Sequence, residues 1–243
     1  MNSIKRYIDS ILSVIFVKKC IACRVLLEYD SDKKLCADCE REWEESKAEI
    51  CPDCYEEQID CRCSFWRSDV DSVRHLALYS HDEMDSVTNS LVYALKKSNN
   101  DDVFDFVADE MVENLISRKN LYNTVCVSVP RNPKSIRKYG YDHAKKLAKR
   151  VADRLGVEYV DFLKHRGGKS EQKKLNYAQR IENAKKNCYV NQSYIGKIKG
   201  KRVLLIDDIG TTGAMTGACT ALLKQYGAYR VDCILAAKNK RNK

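Results

Sequence analysis

The stretch "VLLIDDIGTTGAM", residues 203–215, decides the fold. Four apolar residues run into two adjacent aspartates, Asp207 and Asp208, and a loop of small residues follows at once. An apolar run of this kind is typical of a strand that is buried on both faces of a parallel sheet. Ligands of such sheets bind at the carboxyl ends of the strands, so the two carboxylates are placed for ligand binding.

The chain from about residue 72 onward alternates between strand and helix patterns. Strands are predicted at "VRHLALYS", "TVCVSVP", "VEYVDFL", "VLLID" and "YRVDCILAA", and helices at 83–97, at 101–117, at "YDHAKKLAKRVADRLG" and at 214–226. Gly156 and Gly227 end the last two helices. This alternation predicts an α/β domain with a parallel sheet covered by helices.

The loop after the aspartates excludes two nucleotide-binding motifs. Gly210 and Gly213 fit neither the P-loop, which needs Gly-Lys-Ser/Thr, nor the dinucleotide pattern Gly-x-Gly-x-x-Gly. The loop instead offers backbone N–H groups at a helix N-terminus, which suit a phosphate monoester. The neighbouring carboxylates suit sugar hydroxyls or Mg²⁺. A phosphorylated sugar meets both demands.

Eight of the 12 cysteines stand in closely spaced pairs before residue 64. A Cys-x2-Cys turn lets two thiolates meet one tetrahedral Zn²⁺ at about 2.3 Å, and two such turns complete a four-ligand site. The last pair has a single residue between its cysteines, so the second site is either distorted or interleaved with the first. One or two structural zinc ions are expected, in a module that folds only with metal and is separable from the rest of the chain. The predicted ligands are Cys20, Cys23, Cys36, Cys39, Cys51, Cys54, Cys61 and Cys63.

Three units are predicted: an N-terminal helix over 1–19, a cysteine-rich zinc-ribbon module over 20–66, and the α/β domain over 72–240. Neither an export signal nor an apolar run of bilayer length is recognised, so a cytoplasmic protein without a transmembrane segment is expected. Cys126, Cys188, Cys219 and Cys233 are interpreted as ordinary packed residues.

The positive charge is unevenly distributed. Residues 1–63 carry 10 basic and 14 acidic side chains, whereas residues 131–202 carry 21 basic and 6 acidic ones. A surplus of this size favours a polyanionic partner such as phosphates or nucleic acid, and a solvated, solubilising surface is the alternative. Lys145, Lys146, Lys149 and Arg150 on one predicted helix are expected to contact single-stranded DNA, with Tyr139 or Tyr141 stacking on bases.

Several motifs, in the right order, resemble the bacterial competence-protein ComF (ComFC) family. In that family a zinc ribbon precedes a type I phosphoribosyltransferase domain, and "VLLIDDIGTTGAM" resembles the motif that binds phosphoribosyl pyrophosphate (PRPP). The resemblance also covers the cysteine pairs, Tyr79, the "ALKK" around Lys96, "SVPRNPKSIRKYGYDHAKKLA" over 128–148, and Gln172, Leu175, Arg180 and Asn183.

The resemblance implies a role for each matching residue. Asp207 and Asp208 would hold the ribose hydroxyls with Mg²⁺ nearby, and both are candidate catalytic residues together with Arg131. The basic stretch 164–174 would form a lid over the site, and an ordinary solvated loop is the alternative. The residues implied to wrap the 5-phosphate and the pyrophosphate are Ile209, Gly210, Thr211, Thr212, Gly213, Ala214 and Met215, with Pro130, Arg131 and Asn132.

The sequence departs from the family pattern at two places. Met215 replaces a threonine, which removes one hydroxyl contact worth about 1 kcal/mol. Residues 139–143 read Tyr-Gly-Tyr-Asp-His in place of Arg-Gly-Phe-Asn-Gln. Thr211 stands where purine-type relatives carry an acidic general base, which disfavours a purine substrate.

Two functions remain open at this point. One is a nucleic-acid-handling protein of DNA uptake that binds PRPP or another phosphorylated ribose, with single-stranded DNA and membrane-associated uptake machinery as partners. The other is an active phosphoribosyltransferase that acts on a small nitrogen nucleophile.

Overall fold

A sheet of five parallel strands forms the centre of the computed structural model, which describes residues 18–28, 31–51, 54–63, 70–80, 82, 85–117, 120–167 and 177–240. Its strands are β1 (Ser72–Tyr79), β2 (Thr124–Ser128), β3 (Glu158–Tyr159), β6 (Arg202–Gly210) and β7 (Arg230–Asn239). They lie in the order β1-β7-β6-β2-β3, and each neighbouring pair is parallel. The predicted α/β class with a parallel sheet is confirmed.

Helices cover both faces of this sheet. They are α1 (Ala37–Ala48), α2 (Val87–Lys97), α3 (Asp101–Leu115), α4 (Pro133–Tyr139), α5 (His143–Leu155), α6 (Tyr177–Asn187) and α7 (Ala214–Gln225). A short antiparallel hairpin, β4 (Leu163–His165) and β5 (Cys188–Val190), lies outside the main sheet, and a 3₁₀ helix follows it at Gln192–Lys197. Within the described part of the chain, no helix combines the length and the apolar character that a membrane crossing requires.

Successive residues of β6 belong to different layers of the core. Leu204 and Ile206 pack in the cluster that contains α2, α3 and α5, whereas Val203 and Leu205 pack in the cluster that contains α7. This is the two-residue alternation of a strand that is buried on both faces. It determines where the polar residues at the end of the strand must point.

Some predicted elements differ from the observed ones. The strand expected at "VEYVDFL" is split, because the chain leaves the main sheet after Tyr159 and Leu163 begins the hairpin. Helix α4 was not predicted, although Asn132 caps it and Pro133 occupies its first turn, a common start signal. Residues 1–17 and 168–176 lie outside the described residues, so the N-terminal helix expected over 1–19 and most of the expected lid over 164–174 remain predictions.

The cysteine-rich segment packs directly onto the α/β layer. Trp43 of α1 is buried, and its Nε1 donates a hydrogen bond of 2.8 Å to Oε2 of Glu110 on α3. Lys47 Nζ lies 2.8 Å from the same oxygen. Cys20, Ile21, Leu35, Cys39 and Trp43 share one continuous core with α2 and α3. The expectation of a separable module is therefore corrected, while the boundaries 20–66 and 72–240 stay predictions.

His75 lies at this junction. It is fully buried on β1, and its Nε2 lies 3.0 Å from Oε1 of Gln58 in the cysteine-rich segment. Burial lowers the pKa of His75 to about 3, with the charges of Lys238 and Arg74 acting in the same direction. The imidazole is therefore neutral at physiological pH, and its Nε2–H donates the hydrogen bond to Gln58.

Replacing His75 with Gln is expected to make the fold less sensitive to acid. A histidine in the unfolded chain titrates near pH 6.5. Between pH 6.5 and about 3 the unfolded state therefore binds a proton at His75 that the folded state does not bind. The contribution of His75 to the free energy of unfolding is therefore fully present above pH 6.5 and is lost progressively below it. Between pH 7.5 and 5.5 the free energy of unfolding should fall by roughly 1 kcal/mol more in the wild type than in His75→Gln. Urea unfolding at both pH values measures this difference, and equal losses would contradict the assignment.

Candidate ligand-binding site and metal centres

The two aspartates at the end of β6 point to opposite faces of the sheet. Asp207 continues the row of Val203 and Leu205, toward α7, and Asp208 continues the row of Leu204 and Ile206, toward α2 and α5. Both side chains are buried, with 8% and 1% of their surface exposed. The two carboxyl groups therefore lie in two neighbouring compartments.

Asp208 is surrounded by three groups that carry or accept positive charge. Its Oδ2 lies 3.3 Å from Lys96 Nζ and 3.3 Å from His143 Nε2, and its Oδ1 lies 3.8 Å from Arg131 NH1. Burial opposes ionisation, but Lys96, His143 and Arg131 outweigh it and hold the pKa of Asp208 well below its usual value. Among the described residues, neither carboxylate oxygen has a partner in good hydrogen-bond geometry. Asp208 is thus an ionised acceptor with unused capacity.

Asp207 has the opposite electrostatic setting. Burial and the negative charge of Asp208 raise its pKa well above the usual value, and Arg131 opposes this shift only in part. Its Oδ1 accepts a hydrogen bond of 2.9 Å from the backbone N–H of Asp208. The ionised Asp208 therefore disfavours ionisation of its buried neighbour Asp207.

A cavity of about 260 Å³ lies beside Asp207. Gly213 has a φ of 70°, which lets the loop turn sharply into the start of α7, where no side chain caps the helix. The backbone N–H of Ala214 donates only a long hydrogen bond of 3.5 Å to Oγ1 of Thr212, and a helix N-terminus of this kind favours an anion. The cavity is lined by Arg180, Ala184, Asp207, Ile209, Gly210, Thr211, Thr212, Gly213, Ala214, Met215 and Thr216. The residues expected to wrap the 5-phosphate, Ile209 to Ala214, all line this cavity, and Arg180 adds a cation from α6.

The loop after β2 brings Arg131 to the same edge of the sheet. β2 pairs with β6, and the backbone N–H of Val129 donates a hydrogen bond of 3.0 Å to Ile206, one residue before Asp207. Asn132 accepts a hydrogen bond of 2.9 Å from the backbone N–H of Lys134 and so caps α4. Pro130 and Arg131 line a second cavity, of about 400 Å³, that extends to the β4–β5 hairpin.

Residues 139–143, whose role the sequence left open, position α2 and α5 at Asp208. Gly140 ends α4 with a φ of 80°, and Asp142 caps α5 by accepting a hydrogen bond from the backbone N–H of Lys145. The hydroxyl of Tyr141 donates a hydrogen bond of 2.7 Å to the carbonyl of Leu95. This bond ties the last turn of α2 to the start of α5, so that Lys96 and His143 meet at the same carboxylate.

Lys96 and His143 were absent from the predicted site residues. Both approach Asp208 through the tertiary fold, from positions more than 60 residues away in sequence. The signal that existed was the "ALKK" motif around Lys96, together with Tyr79, whose ring lies 5.8 Å from Lys96 Nζ.

The cysteine pairs form two separate four-sulfur clusters. Cys20, Cys23, Cys36 and Cys39 make the first, and Cys51, Cys54, Cys61 and Cys63 make the second. Within each cluster all Sγ atoms lie within 4.8 Å of one another, close to the edge of roughly 3.8 Å that a tetrahedral Zn²⁺ at about 2.3 Å from each sulfur requires. The alternative in which the two sites share ligands is therefore not observed.

The first pair of each cluster lies in the same kind of turn. Backbone N–H groups donate from Arg24 to the carbonyl of Cys20, at 3.0 Å, and from Tyr55 to the carbonyl of Cys51, at 2.9 Å. Arg24 and Tyr55 both have positive φ values, of 67° and 61°. Burial opposes ionisation of Cys20, but backbone hydrogen bonds outweigh it and lower the pKa of this thiol to about 7, whereas burial raises the pKa of Cys39 in the same cluster.

The helix expected to contact DNA is largely neutralised in the structure. On α5, Lys145 Nζ lies 2.8 Å from Asp161, Lys146 Nζ lies 2.9 Å from Asp101, and Arg150 pairs with Asp101 and Asp105. The hydroxyl of Tyr141 is engaged in the hydrogen bond to Leu95. The predicted DNA contact on α5 is therefore not supported by the charges that this face presents.

The sheet, the loop that opens α7 and the buried aspartate pair define a phosphoribosyltransferase-like protein. In line with this, residues 138–243 match the model of the phosphoribosyl transferase domain. The chain is 25% identical to competence protein ComFC of Streptococcus pneumoniae (strain ATCC BAA-255 / R6), over 84% of this chain and 87% of that protein. Together with the two cysteine clusters ahead of the domain, these matches support a phosphoribosyltransferase-like protein similar to the ComFC family.

Solved structures with some likeness to the chain include two enzymes. The allosteric regulatory enzyme of purine biosynthesis aligns with a TM-score of 0.41 at 18% identity, over 61% of this chain and 30% of that chain. The purine phosphoribosyltransferase from Pyrococcus horikoshii Ot3 aligns with a TM-score of 0.32 at 12% identity, over 56% of this chain and 84% of that chain. The present chain thus spans about a third of the length of the first enzyme.

Metal analysis of the purified chain is expected to give two zinc ions. Cys39→Ser and Cys61→Ser each remove one sulfur from one cluster, so each variant should retain one zinc ion. Cys126→Ser is the matched control, because Cys126 is buried but belongs to neither cluster. Two zinc ions retained in either cluster variant, or a metal-free wild type, would contradict the assignment.

Proposed function

We propose that the chain binds PRPP, or another phosphorylated ribose, together with Mg²⁺ at the Asp207–Asp208 site, and acts in the handling of single-stranded DNA during competence. The observation that carries the first part is the buried, ionised Asp208 with unused acceptor capacity among Lys96, Arg131 and His143. The second part rests on the similarity to competence protein ComFC.

The charge of the site favours a polyanionic ligand. With Asp207 protonated, the pair contributes one negative charge, against positive charges on Lys96 and Arg131. The ligand-free site is therefore net cationic. A phosphate at the first turn of α7 and a pyrophosphate near Arg131 would both be attracted to it.

The two aspartates are suited to bind Mg²⁺ only when the ion is already bound to a polyanionic ligand such as PRPP. Carboxylate oxygens are suitable ligands for Mg²⁺, and the oxygens of Asp208 lack hydrogen-bond partners within the described residues. A bare divalent cation would be repelled by Lys96 and Arg131. Mg²⁺ bound to PRPP would neutralise the pyrophosphate, and Asp207 and Asp208 would accept the ribose hydroxyls and face the ion.

Replacing both aspartates with Asn is expected to abolish this binding. Each substitution replaces a charged carboxylate acceptor for a ligand hydroxyl with a neutral amide. The double variant should therefore bind PRPP at least about 100-fold more weakly. Isothermal titration with PRPP and Mg²⁺ measures the affinity, and circular dichroism confirms that the fold is retained. Asp153→Asn, which changes an exposed carboxylate on α5, is the control and should bind as the wild type does. Unchanged affinity in the double variant would refute the proposal.

Binding of PRPP is also expected to release protons from Asp207. The pKa of Asp207 is raised in the ligand-free protein, so its carboxyl must lose a proton to accept hydroxyl groups and face Mg²⁺. Titration in buffers with different ionisation enthalpies reports the number of protons released. Asp207→Asn should release fewer protons than the wild type, and an identical number would show that Asp207 does not ionise on binding.

A second candidate function is phosphoribosyl transfer to a small nitrogen nucleophile. The cavity of about 400 Å³ beside Arg131 supports it, because it offers room for an acceptor next to the proposed pyrophosphate loop. Asp161 lines this cavity. Burial opposes its ionisation, but Lys145 and Lys164 outweigh it and lower its pKa, so an ionised acceptor for an N–H group is present. Release of pyrophosphate from PRPP in the presence of ammonia or small amines tests this candidate, with the double Asn variant as the inactive control.

A further inference from the structure

A group of lysines and tyrosines lies on the rim of the Asp208 site, along α4 and the last turns of α2. We define the α2–α4 patch as Tyr93, Lys97, Lys134, Lys138 and Tyr139. The three lysines are exposed, and Tyr93 has 57% of its surface exposed. Among the described residues, none of these lysines has a carboxylate oxygen within the 4.0 Å of an ion pair. This separates the patch from α5, whose cations are mostly paired.

Two of the three lysines, Lys97 and Lys138, lie over the faces of the tyrosine rings. Lys97 Nζ is 4.9 Å from the ring centroid of Tyr93 and 5.5 Å from that of Tyr139. Lys138 Nζ is 5.3 Å from the ring of Tyr139. The two helices therefore contribute to one continuous surface in which positive charges and aromatic rings alternate.

We propose that the α2–α4 patch is the surface that binds single-stranded DNA, an inference that rests on the proposed DNA-handling function. Alternating cations and aromatic rings match the alternating phosphates and bases of an unpaired strand. A duplex keeps its bases stacked inside, and an acidic protein segment offers no flat rings, so neither uses the tyrosines in this way. The patch adjoins the ligand site, because Lys96 precedes Lys97 on α2 and Arg131 precedes the start of α4.

The inference predicts which lysines contribute to the binding of single-stranded DNA. Tyr93→Ala with Lys97→Gln and Lys138→Gln removes two phosphate contacts and one stacking ring. A matched variant, Tyr229→Ala with Lys185→Gln and Lys199→Gln, removes the same charge and an equally exposed tyrosine, of 61% exposure. Lys185 lies on α6, on the other face of the sheet, and Lys199 and Tyr229 precede β6 and β7 at the opposite edge.

Fluorescence anisotropy with a labelled oligothymidine in about 50 mM salt tests the inference. The patch variant should bind about 10- to 100-fold more weakly than the wild type, and its log-log salt slope should fall by about 1.4, since each phosphate contact contributes roughly 0.7. The matched variant should stay within about twofold of the wild type. Both variants should keep the PRPP affinity of the wild type, which shows that they are folded.

The outcomes distinguish the inference from the proposed function. If the wild type binds DNA and the patch variant binds equally well, the patch is refuted and the DNA-handling function stands. If the matched variant weakens binding as much as the patch variant does, binding is diffuse and the patch is likewise refuted. If the wild type binds no single-stranded DNA, the DNA-handling function fails and the inference fails with it, while the PRPP titration stands by itself. Polyglutamate that competes as well as the oligonucleotide would assign the patch to an acidic protein instead.

Discussion

The alternation of side chains along β6 is the constraint on which the candidate site depends. Because neighbouring residues of a strand point to opposite faces, Asp207 and Asp208 enter different compartments, one beside the start of α7 and the other beside α2 and α5. A slip of one residue in the pairing of β6 with β2 and β7 would exchange them. The register of the central strand thus decides which carboxylate meets the cations and which meets the phosphate-sized cavity.

The cations around Asp208 give the buried carboxylate its stability in the absence of a ligand. A buried charge without partners costs several kcal/mol, and removing one partner from such a set is destabilising. Lys96 and Arg131 nevertheless keep 29% and 27% of their side chains exposed. Both therefore hold Asp208 while they still face solvent, where the phosphates of a ligand would approach. The same two groups therefore neutralise the buried carboxylate and present positive charge to the solvent.

The sequence predicted the elements whose signals are local. The apolar strand before Asp207, the amphipathic helix that ends at Gly156 and the spacing of the cysteines are all short-range patterns, and the structure bears them out. Contacts between distant segments were not predictable in this way. Trp43 lies on α1, yet its partner Glu110 lies 67 residues away on α3. For that reason the cysteine-rich segment looked separable in the sequence, whereas the structure joins it to the main core.

The surface charge of residues 131–202 also depends on contacts with distant segments that the local sequence does not reveal. Acidic residues of α3, which precede this range, face the basic residues of α5: Asp101 meets Lys146, Asp105 meets Arg150 and Asp109 meets Arg154. Each such surface pair adds little stability by itself.

Both rows of partners repeat every four residues, so the pairs run along the contact between α3 and α5 and remove positive charge from the surface. A count over a window of sequence cannot register this cancellation, because the partners lie outside the window. Only the basic side chains that have no acidic partner can bind a polyanion. On the edge that carries Asp208, α2 supplies Lys96 to the buried carboxylate and the adjacent Lys97 to the exposed surface. One helical turn therefore serves both the interior of the site and its rim.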